Sequence, residues 1–338
     1  MKVAMVFPSR ESEKAISGYS ENLIKGLNKN KVETDFVTYK AGSPKSFFKL
    51  LPKLKKYDIA HIQHEYNLLG WYGIPFFLVY LYFMLSKKYK LITTMHTALP
   101  LNEKFKGNPI KNFLRKGLYF FQNRIINQAS DLIFVHSEFF VPVLTRDYNF
   151  PKKKIVVLPQ GIIENVKITP KTKAKKKLGL SGPVFLVIGN LIPDHGADII
   201  VRNADKTGKT ILIVSSPKSV NDRNEKRLAK YLNELKSIVK EKSFEKFVRF
   251  DIIPINDKMP LWWDYFSAAD FVLQAYKGGI GSGILTHAIA TKTPIIASNI
   301  PFFSDIEKKY KCLKIAKTKK NYPRVIREAL KSRNYRKM

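Results

Sequence analysis

Cysteine is almost missing from this chain. Cys312 stands alone in 338 residues, so neither a disulfide framework nor a cysteine-cluster metal site can be built. That usage fits a cytosolic setting. Acidic residues are scarce too: 27 Asp and Glu face 60 Lys and Arg, for a formal net charge of +33. A surface so positive associates with polyanions, whether nucleic acid, anionic lipid headgroups or phosphorylated substrates. The bland alternative is a lysine-rich proteome whose proteins are basic without any partner. Nucleic acid is not expected, because no recognition motif accompanies the charge. Long hydrophobic runs are absent as well. The longest, GWYGIPFFLVYLYFML over 70–85, has about sixteen residues, contains Pro75 and is followed by Lys87 and Lys88, whereas a spanning helix wants roughly twenty. It is expected to be a domain helix, buried or partly lipid-facing, and not a transmembrane one. The opening MKVAMVFPS lacks a full h-region and a small-residue cleavage site, and reads as a first strand rather than a signal peptide.

What is present is globular: 45% apolar residues with 12% aromatics, enough length and apolar content for two ordinary domains or one large one. Short aliphatic runs recur at 2–7, 33–39, 58–63, 91–95, 132–135 and 155–158, then at 184–188, 210–214, 247–250, 271–274 and 294–297. Most are nearly continuous β-branched or aliphatic stretches, as strands covered on both faces should be. Helical segments fall between them, for example 20–27, 110–129, 223–240 and 282–290. The alternation predicts an α/β protein of two Rossmann-like domains, each a doubly wound parallel sheet. The boundary is placed in the lysine-rich stretch 164–183, where Lys171, Lys173, Lys175, Lys176 and Lys177 read as a solvated linker. The expected division is 1–165, 166–320 and a C-terminal helix or tail, 321–338. The two domains are expected to face each other across a cleft lined by strand C-terminal ends, where open α/β sheets bind ligands.

The richest segment is DFVLQAYKGGIGSGILTHAIATKTPIIASNIPFFSD, 270–305. It reads as strand, glycine loop, helix and strand. Gly281, Ser282 and Gly283 sit where the helix begins, and a helix N-terminus offers free amides and a positive dipole end to an anion. In the first half, His96 follows a buried strand in TTMHT, and His64 and Glu65 end the preceding strand; all three are expected at the sheet's C-terminal rim. His61 lies three residues before His64 and so faces the other side, which argues against a two-histidine metal site. Segments 43–56 (SPKSFFKLLPKLKK) and 111–124 (KNFLRKGLYFFQNR) interleave basic with aromatic and aliphatic residues. They fit either an anionic lipid interface or core helices with basic outer faces.

The order of segments resembles the GT-B glycosyltransferases of retaining family 4. The pieces are GYSENLIKGL (18–27), DIAHIQHEY (58–66), TTMHTALP (93–100), ASDLIFVHS (129–137), KIVVLPQGI (154–162), VFLVIGNLIPDHGAD (184–198) and GSGILTHAIATKTPIIAS (281–298). IQHEY and MHTALP look like the signatures of one subgroup. The resemblance implies a retaining hexosyltransferase that moves a sugar from a nucleotide diphosphate sugar to a lipid-linked, phosphorylated or glycan acceptor, with no cofactor beyond that donor and no essential metal. It implies that His96 contacts the donor sugar near the reaction centre, and that His64 and Glu65 meet acceptor or sugar hydroxyls. Gly18 stands near a loop that usually carries two adjacent glycines. Where the family has G-R-L-x-x-x-K-G, this chain has Gly189, Asn190 in place of the arginine and His195 in place of the lysine. Where it has two glutamates eight positions apart, Gly279 and His287 stand, while Ser282, Gly283, Ile284 and Leu285 match a subgroup loop. Lys277, or a lysine from the first domain, is expected to supply a missing cation, and His287 a hydrogen bond to a ribose hydroxyl. The alternative is a GT-B-like binding or partner protein that no longer transfers sugar. The expected setting is cytoplasmic, peripheral at the inner face of the cell membrane.

Overall fold

In the computed structural model, residues 1–66, 68, 70–71, 74–75, 77–86, 90–103, 107–217, 222–278 and 281–331 are described. The chain divides into two compact units, Met1–Gly161 and Ile162–Met338. The first carries a six-stranded sheet in the order β2-β1-β3-β6-β7-β8, from β1 (Lys2–Pro8), β2 (Glu33–Tyr39), β3 (Ile59–His64), β6 (Lys90–Met95), β7 (Leu132–Val135) and β8 (Ile155–Val157). A small antiparallel pair, β4 (Gly70–Trp71) and β5 (Ile74–Pro75), stands apart from it. The second unit carries β11-β10-β9-β12-β13-β14, from β9 (Val184–Ile188), β10 (Thr210–Ser215), β11 (Val248–Ile252), β12 (Phe271–Gln274), β13 (Ile295–Ser298) and β14 (Lys314–Ala316). Every pair within the two large sheets is parallel. The helices that matter below are α1 (Ala15–Lys29), α2 (Phe77–Ser86), α3 (Pro109–Ala129), α4 (Lys171–Lys177), α5 (Pro260–Ala268), α6 (Gly283–Ala290) and α7 (Tyr322–Lys331).

The expected doubly wound parallel sheets are therefore what forms. Strand chemistry explains why. In the second unit Phe185, Ile211 and Ile213 enter one core, while Val184, Leu186, Leu212 and Val214 enter another. Alternate residues of each strand thus feed opposite faces, and both faces are covered by helices. In each sheet the order reverses beside its first strand, at β1/β3 in one and at β9/β12 in the other. Crevices at the C-terminal ends of strands open at such switch points.

Two sequence readings need correction. The lysine run 171–177 is not a free linker. It is helix α4 of the second unit, with Ala174 fully buried. Lys171 and Lys175 pair with Asp270 at 3.1 and 2.7 Å, and Lys177 pairs with Asp264 at 2.5 Å. The apolar run 70–85 is not one helix either, since β4 and β5 occupy its first part and helix begins only at Phe77. Pro75 lacks the N–H that an interior helical turn would need. Of the helix or tail expected beyond 320, the described part is α7, whose Tyr322, Val325, Ile326 and Ala329 are buried in the core of the second unit; residues 332–338 lie outside the described part.

Candidate functional site

The second unit has a hollow at its switch point, lined by the end of β9 and its turn (Val187 to Ile192), His195, Gln274 at the end of β12 and Tyr276 just past it. Two glycines allow it to close. Gly189 has φ +117°, and a Cβ there would sit 3.2 Å from Ile284 Cδ1, on the first turn of α6. Gly196 has φ +68°, and a Cβ would meet the Ala275 carbonyl oxygen at 1.9 Å. Only a residue without Cβ fits there. Ser282 caps α6: its Oγ accepts from Leu285 N at 3.2 Å and from Gln274 Nε2 at 2.8 Å, and it lies 3.3 Å from Tyr276 Oη. The amides of Gly283 and Ile284 fall in the first turn, where the helix supplies no acceptor of its own. Gln274 is buried, and its Oε1 has no hydrogen-bond partner among the described residues. That oxygen is a buried, unused acceptor on a residue that lines the hollow.

The ionisable groups here are neutral or paired. His195 stacks on Tyr276, ring centroids 4.4 Å apart and planes within 8°, and its Nδ1 donates to Asn190 O at 2.7 Å. Burial holds its pKa below the usual histidine value, against the opposing pull of that bond. It therefore stands as a neutral acceptor at Nε2, not as a substitute lysine. Lys277 has a partner inside the unit. Its ammonium pairs with Asp198 at 2.8 Å, whose carboxylate also accepts from Tyr231 Oη at 2.7 Å. Burial would lift the Asp198 pKa, but the Lys277 and Tyr231 bonds outweigh it and hold it low. The cation is engaged within the unit, and among the described residues lining the hollow there is no Lys or Arg. His287 accepts at Nδ1 from Trp262 Nε1 at 3.2 Å and meets the Trp263 ring edge-on. Burial lowers its pKa to about 4, which leaves a neutral ring with its proton on Nε2. Gly281 precedes the cap, and Gly279 lies outside the described residues.

In the first unit, strand register gathers a different cluster. Met95 pairs with Val135 across β6 and β7, so His96 and His136, each one residue further on, come side by side with rings 5.0 Å apart. Tyr19 of α1 lies edge-on to both, at 5.1 and 5.2 Å. His96 Nε2 donates to Gln63 Oε1 at 2.9 Å, and Gln63 Nε2 reaches Met5 Sδ at 3.0 Å and His61 Nε2 at 3.3 Å. His61 in turn meets Thr94 Oγ1 at 2.7 Å. Burial, with the neighbouring histidines, holds His96 well below the usual pKa. It is a neutral ring that gives one proton to Gln63 and keeps Nδ1 as an acceptor.

His136 was not singled out from the sequence. Its Nδ1 donates to Leu158 O at 2.9 Å, and its buried Nε2 has no partner among the described residues. The available signal was the matched ending of two adjacent strands, TMH and FVH. Glu65 stays at the rim, its carboxylate accepting from Thr97 Oγ1 and from Tyr66 N; burial raises its pKa against those bonds. His64 does not reach the surface. It is 1% exposed, edge-on to Tyr66 and Tyr80, with its pKa lowered to about 3 by burial. Gly18 also departs from its expected place. It is a buried residue inside α1, its N–H bonded to Lys14 O at 3.0 Å. The free amides of that helix start are taken by Glu13, whose carboxylate accepts from Ala15, Ile16 and Ser17. Among the described residues no group of three or more His, Cys, Asp or Glu could hold a metal ion, and no helix is long and apolar enough to cross a membrane.

Comparison with known proteins falls in line with this geometry. Residues 38–165 match the family model described as Glycosyltransferase Family 4. Over 185 residues the chain is 26% identical to mannosylfructose-phosphate synthase of Agrobacterium fabrum, a match covering 52% of this chain and 39% of that protein. The chain thus spans well under two thirds of that relative. Sucrose-phosphate synthase from Thermosynechococcus elongatus superposes with a TM-score of 0.72 at 16% identity, covering 100% of this chain and 94% of that one. HepE from Anabaena, solved in complex with UDP, gives 0.71 at 12% identity over 99% and 91%. At such identities the likeness establishes the fold, which is GT-B: two Rossmann-like units, each with a parallel six-stranded sheet.

Proposed function

We propose that this chain transfers a sugar from a nucleoside diphosphate sugar, with retention at the anomeric carbon, to a lipid-linked, phosphorylated or glycan acceptor. The observation that carries the reading is the hollow at the β9/β12 switch point, closed by Gly196 and abutted through Gly189 by the Ser282-capped start of α6. As the donor bond breaks, negative charge grows on the departing diphosphate and positive charge on the sugar. The first-turn amides of α6 and its dipole are placed to meet the former. Gln274 Oε1 and the neutral His195 add acceptors for ribose or base hydrogen-bond donors. His96, uncharged and fixed through Gln63, offers Nδ1 to a sugar hydroxyl. A histidine so depressed in pKa orients and does not act as a cation. The matching family model and the UDP held by the Anabaena protein support this reading.

One observation favours a second reading, a protein that binds donor without turning it over. Among the described residues the hollow is lined by no Lys or Arg, and Lys277 is paired with Asp198. Incubation with UDP-, GDP- and ADP-sugars plus native membranes separates the two. Turnover releases free nucleoside diphosphate, and the anomeric configuration of the product, read by NMR, reports retention. His96→Ala should lose that release while keeping its circular dichroism. Donor binding with no release from the intact chain supports the second reading, and full activity in His96→Ala removes the role given to this residue.

A further inference from the structure

Helix α3 is apolar on the side it turns outward as well as on the side it buries. Its buried side carries Tyr119, Gln122, Asn123 and Ile126, and Asn123 is held there by Tyr66, donating from Nδ2 to the phenol oxygen at 2.9 Å. Its outward side carries Ile110 (71% exposed), Phe113 (77%), Leu114 (63%) and Phe121 (66%). At about 100° per residue these four fall within one sector, centred opposite the buried seam. A helix facing water is polar outside and apolar inside. Helix α2, which packs against α3, extends the surface with Leu78 and with Leu85, 84% exposed.

The charges on α3 itself are of one sign only. α3 carries Lys111, Arg115, Lys116 and Arg124 and no Asp or Glu in its 21 residues. Between Glu65 and Asp131 the sequence holds a single acid, Glu103. The helix is anchored at its start, where Pro109 occupies the first turn and Asn108 Oδ1 accepts from Ile110 N at 2.9 Å and Lys111 N at 3.3 Å. The stripe is thus presented on a fixed element. From Ile110 to Phe121 it runs about 16 Å along the axis.

We infer that the outward face of α3, with Leu78 and Leu85 of α2, docks in the plane of an anionic lipid bilayer. Apolar side chains enter the headgroup boundary and the flanking Lys and Arg lie among the phosphates. A second copy of the chain fits the face poorly, because like charges would be brought together around the stripe. A bilayer supplies both the apolar layer and the opposite sign. The inference stands apart from sugar transfer, since partitioning is read without any donor.

The test uses the full chain and flotation with vesicles of phosphatidylcholine alone or with about a third phosphatidylglycerol, at about 0.1 M and about 1 M salt, where screening lengths differ about threefold. The expected result is binding to the anionic vesicles that weakens at high salt. Phe113→Ser with Phe121→Ser should weaken it at least about tenfold, and Lys111→Gln with Arg115→Gln about thirtyfold. Ile168→Ser, an exposed apolar residue of the second unit, should leave it unchanged. Because the substituted side chains are exposed, their urea midpoints should match the parent. Equal binding to neutral vesicles, or undiminished binding by Phe113→Ser with Phe121→Ser, overturns the inference. So does a dimer in sedimentation velocity that this double variant abolishes, since the face would then join two copies.

Discussion

Lowering the pH from about 7.5 to about 5 should unfold the first unit before the second. The chain has six histidines, and burial depresses the pKa of all of them: His61, His64, His96 and His136 in the first unit, His195 and His287 in the second. The unfolded chain takes up these protons near the ordinary histidine value of about 6.5, and the folded one does not. Stability is therefore complete above that pH and falls as pH drops toward the folded values. For His61 and His64, lowered to about 3, the loss by pH 5 is about 1.5 pH units at 1.36 kcal/mol each, or about 2 kcal/mol per residue. Together they remove about 4 kcal/mol from the first unit, and His96 and His136 act in the same direction. His287, at about 4, removes about 2 kcal/mol from the second. Glu65 works oppositely, since burial raises its pKa and protonation favours the folded form. The depressed carboxylates Asp198, Asp264 and Asp270 lose their contribution only below about pH 4.

Urea titration provides the assay, with far-UV circular dichroism for the whole chain and, in a Trp71→Phe background, fluorescence of Trp262 and Trp263 for the second unit. At a slope of about 2 kcal/mol/M, the first transition should move down by about 2 M and the tryptophan-reported one by about 1 M. His64→Gln should remove about half of the first shift. A first-unit midpoint that stays flat between pH 7.5 and 5 would refute the reasoning.

Three further outcomes follow from single contacts. Gly196→Ala places a Cβ against the Ala275 carbonyl at a left-handed φ; it should cost at least about 2 kcal/mol and weaken nucleotide binding, both read by thermal shift with and without UDP. Ser282→Ala removes the cap of α6 and the acceptor for Gln274 Nε2, and should cost about 1–2 kcal/mol in urea together with a loss of nucleotide affinity by calorimetry. Tyr322→Phe deletes a buried donor to Gln274 O at 3.0 Å; urea unfolding should show a loss of about 1–2 kcal/mol.

Much of the fold could be read from the chain because parallel strands buried on both faces leave nearly unbroken aliphatic runs. Leu132–Val135, Val184–Ile188 and Phe271–Gln274 end where the runs end. Lys314–Ala316 escaped because an edge strand of three residues, beginning with an exposed lysine, leaves no such run. Partners distant in sequence were the other blind spot. Lys175 and Lys177 look solvated until Asp270 and Asp264, 95 and 87 residues away, are brought to them. Lys277 looks like a spare cation until Asp198 is found 79 residues back. His96 was legible because it closes a strand, whereas His136 needed the register between β6 and β7. For α3, apolar residues lie on both sides, so periodicity could not say which side is inside.

The bond from Tyr322 to Gln274 also bears on how the protein is made. The carbonyl at the end of β12 finds its donor 48 residues later, and at about 5–20 residues per second that interval lasts roughly 2 to 10 s on the ribosome. Throughout it, the strand that forms one wall of the hollow is synthesised but lacks the helix that seals it. The first unit, whose strands all precede residue 158, can meanwhile fold. Nascent chains arrested before and after residue 322 should therefore differ in protease resistance in the second unit alone, making α7 the step that commits this half of the molecule to its native state.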